Sequence, residues 1–164
     1  SNYFLTEEIF IIFVHTIVVQ TNMEQIELTK NTVVGLLKAS SKAEDLLAKV
    51  LKPYEISLQQ FNVLRILRGR KEKPANLSTI QKRMVHKNSN TTRLIDKLIE
   101  KFLVERKICE ENRRKIELII TPKGKSMLSE LDLVIEKAET EILKPLDLEE
   151  QKSLRKLLNK INLN

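Results

Sequence analysis

Three polar residues have the spacing of one helix face and the chemistry to read a nucleic acid. Asn90, Arg93 and Lys97 follow one another at i, i+3 and i+7, which places them together on the surface of a helix. Asparagine pairs bidentately with adenine and arginine with guanine, and each good pairing discriminates between bases by about 1–3 kcal/mol. This row therefore predicts a helix that contacts base edges, although a solvated polar helix face would have the same composition.

The neighbouring residues support a helix with a buried side behind this row. The apolar residues on the opposite side of the same helix are Leu94, Ile95, Leu98 and Ile99. Ser89 and Thr92 border the polar face, and either can bond to bases or phosphate. Asn88 or Ser89 is predicted to cap this helix, which should run to about Phe102. The turn before it carries His86 and Lys87, which are candidates for contact with phosphate.

A second basic feature follows this helix. Two β-prone runs, 104–109 and 116–121, have the spacing of a hairpin. Its polar tip, 110–115, carries Asn112, Arg113, Arg114 and Lys115. Long cationic side chains at such a tip can reach phosphates or a narrow minor groove. A basic tip directly after a polar helix face favours nucleic-acid binding over a merely solvated turn.

The elements around these residues predict a winged helix-turn-helix in a mainly α chain, which is an α+β winged-helix class. Capping residues and apolar spacing predict helices at 58–68 after Ser57, at 77–84 after Asn76, at 123–143 after Pro122, and from Asp147 to about Ile161. Gly69 is expected to close the first of these. Another helix is predicted at 28–52, capped by Thr29 and stopped by Pro53.

The charge distribution agrees with a polyanionic partner. The net charge is +7, but residues 65–125 hold 18 of the 29 Lys and Arg and only 7 of the 22 Asp and Glu. That segment therefore carries +11, and the rest of the chain carries −4. A basic centre that coincides with the predicted helix and wing is typical of a nucleic-acid-binding module.

These elements together resemble the MarR family, the multiple-antibiotic-resistance type of bacterial transcription regulator. The resemblance runs from about Thr29 to the C-terminus and is strongest at 58–124. The segments that carry it are LQQFNVLRIL, LSTIQKRM, NTTRLIDKLIEK, LVER, NRR and ITPKG. It implies an intertwined homodimer that binds a pseudo-palindromic operator in double-stranded DNA, usually as a repressor released by a small-molecule effector or by oxidation.

Several residues match the family pattern individually, and others depart from it. The resemblance places Ser89, Asn90, Thr91, Thr92 and Arg93 at the start of the recognition helix. It places Asn112, Arg113 and Arg114 on the Asp-x-Arg of the wing, with Arg114 as the minor-groove arginine. Asn112 replaces the family's Asp, and Phe102 replaces the glycine that usually follows the recognition helix. The wing and the turn into Leu103 are therefore expected to differ from the family pattern.

The predicted organisation has four segments. They are an apolar N-terminal extension at 1–22, a dimerisation helix at 28–56, a DNA-binding lobe at 57–121, and C-terminal dimerisation helices at 122–164. Ser1-Asn2 fit a tag remnant, and the first methionine is Met23, which fits a start assigned too early. The apolar run is shorter than the roughly 20 residues of a membrane span, so we expect no membrane partner. If the run is folded, it should be buried against a partner subunit.

The remaining chemistry is sparse. A single cysteine, Cys109, fits a reducing cytoplasm and is expected to be a partly buried strand residue rather than a redox sensor. His15 and His86 do not form a metal-ligand cluster, and no phosphate-binding loop or nucleophile pattern is present. We therefore expect no metal, no cofactor and no enzyme activity. The alternative to a DNA-binding regulator is a winged-helix module for protein–protein interaction.

Overall fold

The computed structural model describes residues 2–71, 73–86, 90–108 and 116–162, with side chains described from residue 17 onward. In order, its elements are α1 (Asn2–Leu51), a short 3-10 turn (Lys52–Tyr54), α2 (Leu58–Arg68), α3 (Leu77–Arg83), α4 (Thr91–Glu100), β1 (Val104–Ile108), β2 (Ile116–Ile120), α5 (Pro122–Leu143) and α6 (Leu148–Asn162). The chain divides into two compact units, Ser1–Lys42 and Ala43–Asn164. The predicted mainly α chain with a small antiparallel hairpin is confirmed.

Helix α1 is longer than the sequence analysis predicted. It is one continuous helix of 50 residues, so the predicted start at residue 28 is wrong. Thr29 does not cap a helix, because its hydroxyl donates to the carbonyl of Gln25 at 2.8 Å, one turn earlier. Bonding to the preceding turn lets a threonine remain inside a helix, and no proline interrupts the chain before Pro53. In the described part of the chain, no helix is both long enough and apolar enough to cross a bilayer.

Local capping chemistry begins the helices of the lobe where the sequence predicted. Ser57 accepts from the Gln60 backbone N–H at 3.1 Å, and the Gln60 side chain accepts from the Ser57 N–H at 2.9 Å. This reciprocal pair is a capping box. Asn76 caps α3 by accepting from the Thr79 N–H at 2.8 Å. Gly69 ends α2 as predicted but does so in the right-handed conformation, so its freedom to be left-handed is not used there.

The hairpin pairs β1 with β2 in antiparallel register, from Val104 opposite Ile120 to Ile108 opposite Ile116. A third short segment joins it, which the sequence analysis did not predict. Ala75 donates to the carbonyl of Leu118 at 3.0 Å and accepts from the Leu118 N–H at 2.8 Å. This bridge attaches the segment just before α3 to β2. Backbone hydrogen bonds therefore join the helix-turn-helix to the hairpin.

The apolar core lies around α2, which contacts α3, α4, α5 and β2. Its fully buried side chains come from α1, α5 and the elements between them, and they include Leu51, Leu64, Ile80, Ile95, Leu98, Leu103, Leu128 and Leu131. Burying each such side chain contributes about 1.5–3 kcal/mol. Because α4 and the hairpin share this core with α5, the elements that carry the candidate site are fixed to the body of the lobe.

The junction between β1 and α5 is unusually close. Thr121 caps α5 by accepting from the Gly124 N–H at 2.9 Å, and its backbone N–H donates to the Leu103 carbonyl at 3.1 Å. A Cβ on Gly124 would lie 2.2 Å from the Leu103 carbonyl oxygen and 2.9 Å from Cγ1 of Ile120. No side chain fits this position while the strand stays where it is. The glycine of ITPKG is therefore required by packing.

Phe102 forms the turn from α4 into β1, and it does so in the left-handed conformation, with φ of 61°. Its N–H donates to the carbonyl of Ile99 at 2.8 Å, and the next N–H, of Leu103, donates to the carbonyl of Leu98 at 2.9 Å. This is the pattern in which helices commonly end at a glycine. The turn thus keeps a glycine-type geometry although a phenylalanine occupies it.

We expect Phe102→Gly to be more stable than Phe102→Ala by about 1 kcal/mol, because a Cβ in the left-handed region costs about that much. Both variants lose the side chain, including the ring that lies 5.7 Å from the Lys123 ammonium, so their difference isolates the backbone strain. The free energy of unfolding from urea denaturation measures it. Equal stabilities of the two variants would show that residue 102 is not held at positive φ in solution.

Candidate nucleic-acid interface

Helix α4 is built with one buried side and one exposed side. Ile95 and Leu98 are 1% and 0% exposed, and Leu94 and Ile99 are half-buried beside them. The helix spans ten residues, or about 15 Å, and ends at Glu100 because Phe102 is left-handed. The predicted end at Phe102 is therefore two residues too late. Because Ile95 and Leu98 are buried in the core, the side chains on the opposite side of α4 face solvent.

Asn90 is the N-cap of α4, and its exposed side chain lines one groove with Arg93 and Lys97, as their spacing predicted. Its side-chain oxygen accepts from the Arg93 backbone N–H at 3.2 Å. The prediction that Asn88 or Ser89 caps this helix is wrong, since the helix begins only at Thr91. The Asn90 side chain remains exposed at the end of the helix, but its oxygen is engaged by the cap. The positions Lys87, Asn88 and Ser89 lie outside the described residues.

Thr91 faces the core. It is 2% exposed, whereas the family resemblance had placed it among the residues at the start of a reading helix. The reason is geometric, because Thr91 precedes Ile95 by four residues and so shares its inward face. Thr91 is therefore removed from the set of surface candidates.

The exposed row that remains consists of Thr92, Arg93 and Lys97. An open groove of about 400 Å³ lies beside two of these residues; its lining is Arg93, Lys97, Asn90, Leu94 and the α2 residue Gln59, and it does not include Thr92. The first two turns of the exposed side thus carry two cations and one half-exposed carboxylate, Asp96. A second acidic residue, Glu100, lies at the far end of the helix.

An ion pair joins the candidate helix to the hairpin. The guanidinium of Arg106 on β1 contacts the carboxylate of Asp96 on α4, and both side chains are about half-exposed. The contact compensates the negative charge of Asp96, which lies on α4 between Arg93 and Lys97. At this exposure the pair contributes little to stability, about 0–1 kcal/mol. Its main consequence is that the surface beside Arg93 is less acidic than the sequence suggests.

Lys101 anchors the C-terminal end of α4 to two other parts of the lobe. Its ammonium donates to the Glu55 carbonyl at 3.0 Å and lies 3.1 Å from the Glu55 carboxylate. Its own carbonyl accepts from the Lys123 ammonium at 3.0 Å. Glu55 belongs to the turn between α1 and α2, and Lys123 to the first turn of α5. The end of α4 is therefore tied to elements on both sides of it in sequence.

Comparison with known proteins agrees with this arrangement of elements. Residues 56–116, which include α2, α3, α4 and β1, match the model of the MarR family. This segment of the chain is similar to the MarR family. The resemblance stated from the sequence is thereby confirmed.

Solved structures of MarR proteins share the fold. A mutant of Escherichia coli MarR complexed with operator DNA has a TM-score of 0.70 and 24% identity, over 77% of this chain and 89% of that chain. A MarR transcription factor from Planctomyces limnophilus has a TM-score of 0.64 and 27% identity, over 83% and 96%. Bordetella bronchiseptica BpsR, whose DNA binding is regulated by 6-hydroxynicotinic acid, has a TM-score of 0.71 and 20% identity, over 77% and 89%.

The wing is described only through its strands. Ile108 and Ile116, the last and first strand residues, are 68% and 53% exposed. The predicted tip residues Asn112, Arg113, Arg114 and Lys115 lie outside the described residues, as does Cys109. Their proposed contact with DNA stays a prediction.

His86 lies in the predicted turn before α4 and is among the described residues. Its side chain contacts α1. Its Nε2 lies 3.6 Å from a carboxylate oxygen of Glu44 on α1. The side chain is 39% exposed, so the imidazole is partly available to a ligand while it contacts Glu44. In the part of the chain that the structure describes, no group of His, Cys, Asp and Glu side chains is arranged to hold a metal ion.

Sequence reasoning missed two sets of residues near α4. Lys82 and Arg83 are exposed in the last turn of α3, immediately before the turn that leads to α4. Gln59 lies across the groove from Arg93, although it is distant in sequence. The cations could have been found from their position at the C-terminus of α3. Gln59 could not, because only packing of α2 against α4 brings it to the groove.

Proposed function

We propose that this chain is a sequence-specific DNA-binding transcriptional regulator, a repressor that acts as a homodimer on a pseudo-palindromic operator. The observation that carries the proposal is the exposed row of Thr92, Arg93 and Lys97 on a helix whose other side is locked into the core. The major groove is about 12 Å wide and admits an α-helix. A ten-residue helix with cations on its first two turns has the size and charge for this groove.

The exposed residues of α4 can make two kinds of DNA contact, to base edges and to the phosphate backbone. The Arg93 guanidinium can bond bidentately to the O6 and N7 atoms of guanine, and Thr92 can contact either a base or a phosphate. Lys97, one turn further along, can reach a guanine or the backbone. Asn90 caps the helix that carries these residues. Its amide NH2 group lies at the N-terminal end of that helix, where backbone N–H groups favour phosphate.

Basic residues around the row supply affinity that does not depend on sequence. Lys82 and Arg83 on α3 are exposed beside the turn, and the wing tip adds three further cations in the sequence. Neutralising phosphates releases counterions, so binding should weaken steeply as salt increases. We assign His86, Lys87, Asn88 and Ser89 to this same group of backbone contacts, together with Asn112, Arg113, Arg114 and Lys115.

The proposed dimer sets the spacing of two such helices. Recognition helices of a dimer meet successive major grooves when they lie about 34–36 Å apart. Exposed apolar side chains on α6, including Leu148, Leu157 and Ile161, offer a surface for a partner subunit. The E. coli MarR structure in complex with operator DNA supports the same use of the fold in this chain. We place the protein in the cytoplasm, where its target would be.

We further propose that a small organic molecule controls the DNA binding, as 6-hydroxynicotinic acid does in BpsR. A surface groove of about 570 Å³ lies where α1 meets α2, and its lining includes Lys49, Lys52, Glu55 and Gln60. Glu55 also holds Lys101 at the end of α4. A ligand that displaced Glu55 would release one anchor of α4, and a differential affinity of a few kcal/mol between the two states would suffice for a switch.

The test is selection of duplexes from a randomised DNA library, followed by fluorescence anisotropy with the selected duplex and a scrambled one across a range of salt. We expect a selected sequence with twofold symmetry and an affinity at least about a thousandfold above that for scrambled DNA. Binding that is weak and equal for both duplexes would contradict the proposal and would favour a protein–protein interaction module instead.

Arg114→Ala tests the wing. We expect this variant to bind the selected and the scrambled duplex more weakly by the same factor, and to reduce the slope of log affinity against log salt by about 1, because one phosphate contact is lost. Anisotropy titrations at several salt concentrations measure both quantities. Arg155→Ala removes the same charge from α6, outside the winged-helix segment 57–121, and should change neither. An unchanged slope in Arg114→Ala would exclude this residue from the DNA contact.

A further inference from the structure

We propose that the N-terminal part of α1 pairs with the same segment of a second copy as a two-stranded antiparallel coiled coil centred near Leu28. We call residues 19–37 the pairing segment. The inference concerns how copies of the chain associate, and it does not depend on the proposed DNA contact. It also involves a different part of the chain from the exposed leucines of α6.

The pairing segment carries an apolar stripe with alternating steps of four and three residues. The stripe runs through Val19, Met23, Ile26, Val33 and Leu37, and these side chains are 43%, 66%, 54%, 51% and 65% exposed. Steps of 3 and 4 average 3.5 residues, the repeat that keeps one seam facing a partner helix in a left-handed coiled coil. A contiguous exposed row of large apolar side chains is typical of a surface that binds a partner.

One position in the stripe is charged, and it decides the orientation of the partner. Lys30 falls between Ile26 and Val33 with the same spacing, four residues after the first and three before the second. In a parallel, in-register pair, each seam position faces its own copy, so two Lys30 ammonium groups would be opposed inside the seam. In an antiparallel pair centred at residue 28, Lys30 faces Ile26 of the other copy. The antiparallel pair therefore avoids burying two like charges together.

The distribution of charge along the pairing segment, including Lys30 in the seam, favours the same orientation. Glu24 and Glu27 lie in the first half of the pairing segment, and Lys30 and Lys38 lie in the second half or just beyond it. Glu24, Glu27 and Lys30 line one open surface groove together with Val19, Met23 and Ile26. Antiparallel pairing sets the acidic half against the basic half, with Glu27 next to Lys30 of the other copy. Parallel pairing would align like charges.

The same register also pairs the apolar positions. Met23 faces Val33 of the other copy, and Val19 faces Leu37 of the other copy. Val34 and Leu36, 47% and 40% exposed, flank the seam and widen it. Leu28, 64% exposed, lies on the outer side of the helix and takes no part in the seam. It therefore provides a matched control for a seam residue on the same helix.

The experiment measures distances between copies of the full-length chain by pulsed electron paramagnetic resonance. Nitroxide labels are placed singly at Asn31 or Thr21, as cysteine substitutions in a Cys109→Ser background. In the antiparallel pair these positions lie three and seven residues from the centre, so the two copies of each are offset along the axis by about 9 Å and 21 Å at 1.5 Å per residue. We therefore expect a distinctly longer distance at Thr21 than at Asn31.

The measured distances and two substitutions either support or contradict the antiparallel pair. In Asn31-labelled protein, Ile26→Glu should abolish the defined distance, whereas Leu28→Glu should leave it unchanged. Equal short distances at Asn31 and Thr21 would indicate a parallel pair and would overturn the proposal. Broad or absent distances in the protein without a seam substitution would also overturn it, even if the chain is dimeric through α6. DNA binding measured by anisotropy on the same samples reports on the proposed function separately.

Discussion

Replacing Arg93 by alanine should weaken binding to the selected operator by about 1–3 kcal/mol and leave binding to scrambled DNA nearly unchanged. The guanidinium stands on the exposed face of α4, and the helix beneath it is held by Ile95 and Leu98, so truncation should not move the backbone. Because a bidentate contact to guanine is made only on the correct sequence, its loss should reduce specificity and not general affinity. Anisotropy with both duplexes at one salt concentration measures the difference.

Two further variants test whether the effect of Arg93→Ala comes from its charge or from its hydrogen-bond geometry, and whether it is specific to this position. Arg93→Lys keeps the charge but loses the planar fork of donors, so we expect it to resemble the alanine variant on the operator. Arg155→Ala removes an exposed arginine from α6 and should bind both duplexes normally. An equal loss on operator and scrambled DNA would mean that Arg93 contacts only phosphate. No loss on either duplex would mean that this face of α4 does not meet DNA.

Replacing Gly124 by alanine should destabilise the lobe by about 2–3 kcal/mol, the upper range for overpacking. The new Cβ would lie 2.2 Å from the Leu103 carbonyl oxygen, which is backbone and cannot rotate away. Relief requires the start of β1 to separate from the first turn of α5, and this breaks the bond between the Thr121 N–H and the Leu103 carbonyl. The free energy of unfolding from urea denaturation measures the effect.

The matched control is Gly35→Ala, because nothing lies within 4 Å of a Cβ at that position. Gly35 is inside α1, where alanine is the better helix former by about 1 kcal/mol, so this variant should be neutral or more stable. The two substitutions add the same methyl group and should differ in sign. A stable Gly124→Ala variant would mean that the strand and the helix are further apart than the structure places them.

Features set by neighbouring residues were predictable from the sequence. Ser57 and Asn76 cap helices because their side chains reach a backbone N–H three residues later, and that chemistry is visible in a short stretch of letters. The hairpin was predictable from its two β-prone runs and polar tip. The buried side of α4 followed from apolar spacing, which also identified Arg93 and Lys97 as exposed.

Features set by competition or by distant residues were not predictable. Asn88, Ser89 and Asn90 are all good caps, and the sequence alone could not show that Asn90 is the one used. That choice also decides where the helix begins. The burial of Thr91, by contrast, was predictable, because Thr91 lies four residues before Ile95 and shares its face. Lys101 and Glu55 are 46 residues apart in the sequence, so no local sequence pattern predicts their contact. The length of α1 was missed because Thr29 was interpreted as the cap of a shorter helix.

The way α4 is fixed has a consequence for how proteins of this design diversify. Its supports are the buried Ile95 and Leu98, the Asn90 cap, and Lys101 at the far end. None of these supports uses the side chains of Thr92, Arg93 or Lys97. After gene duplication, one copy can therefore drift at these three positions and acquire a new target sequence while its folding stays intact.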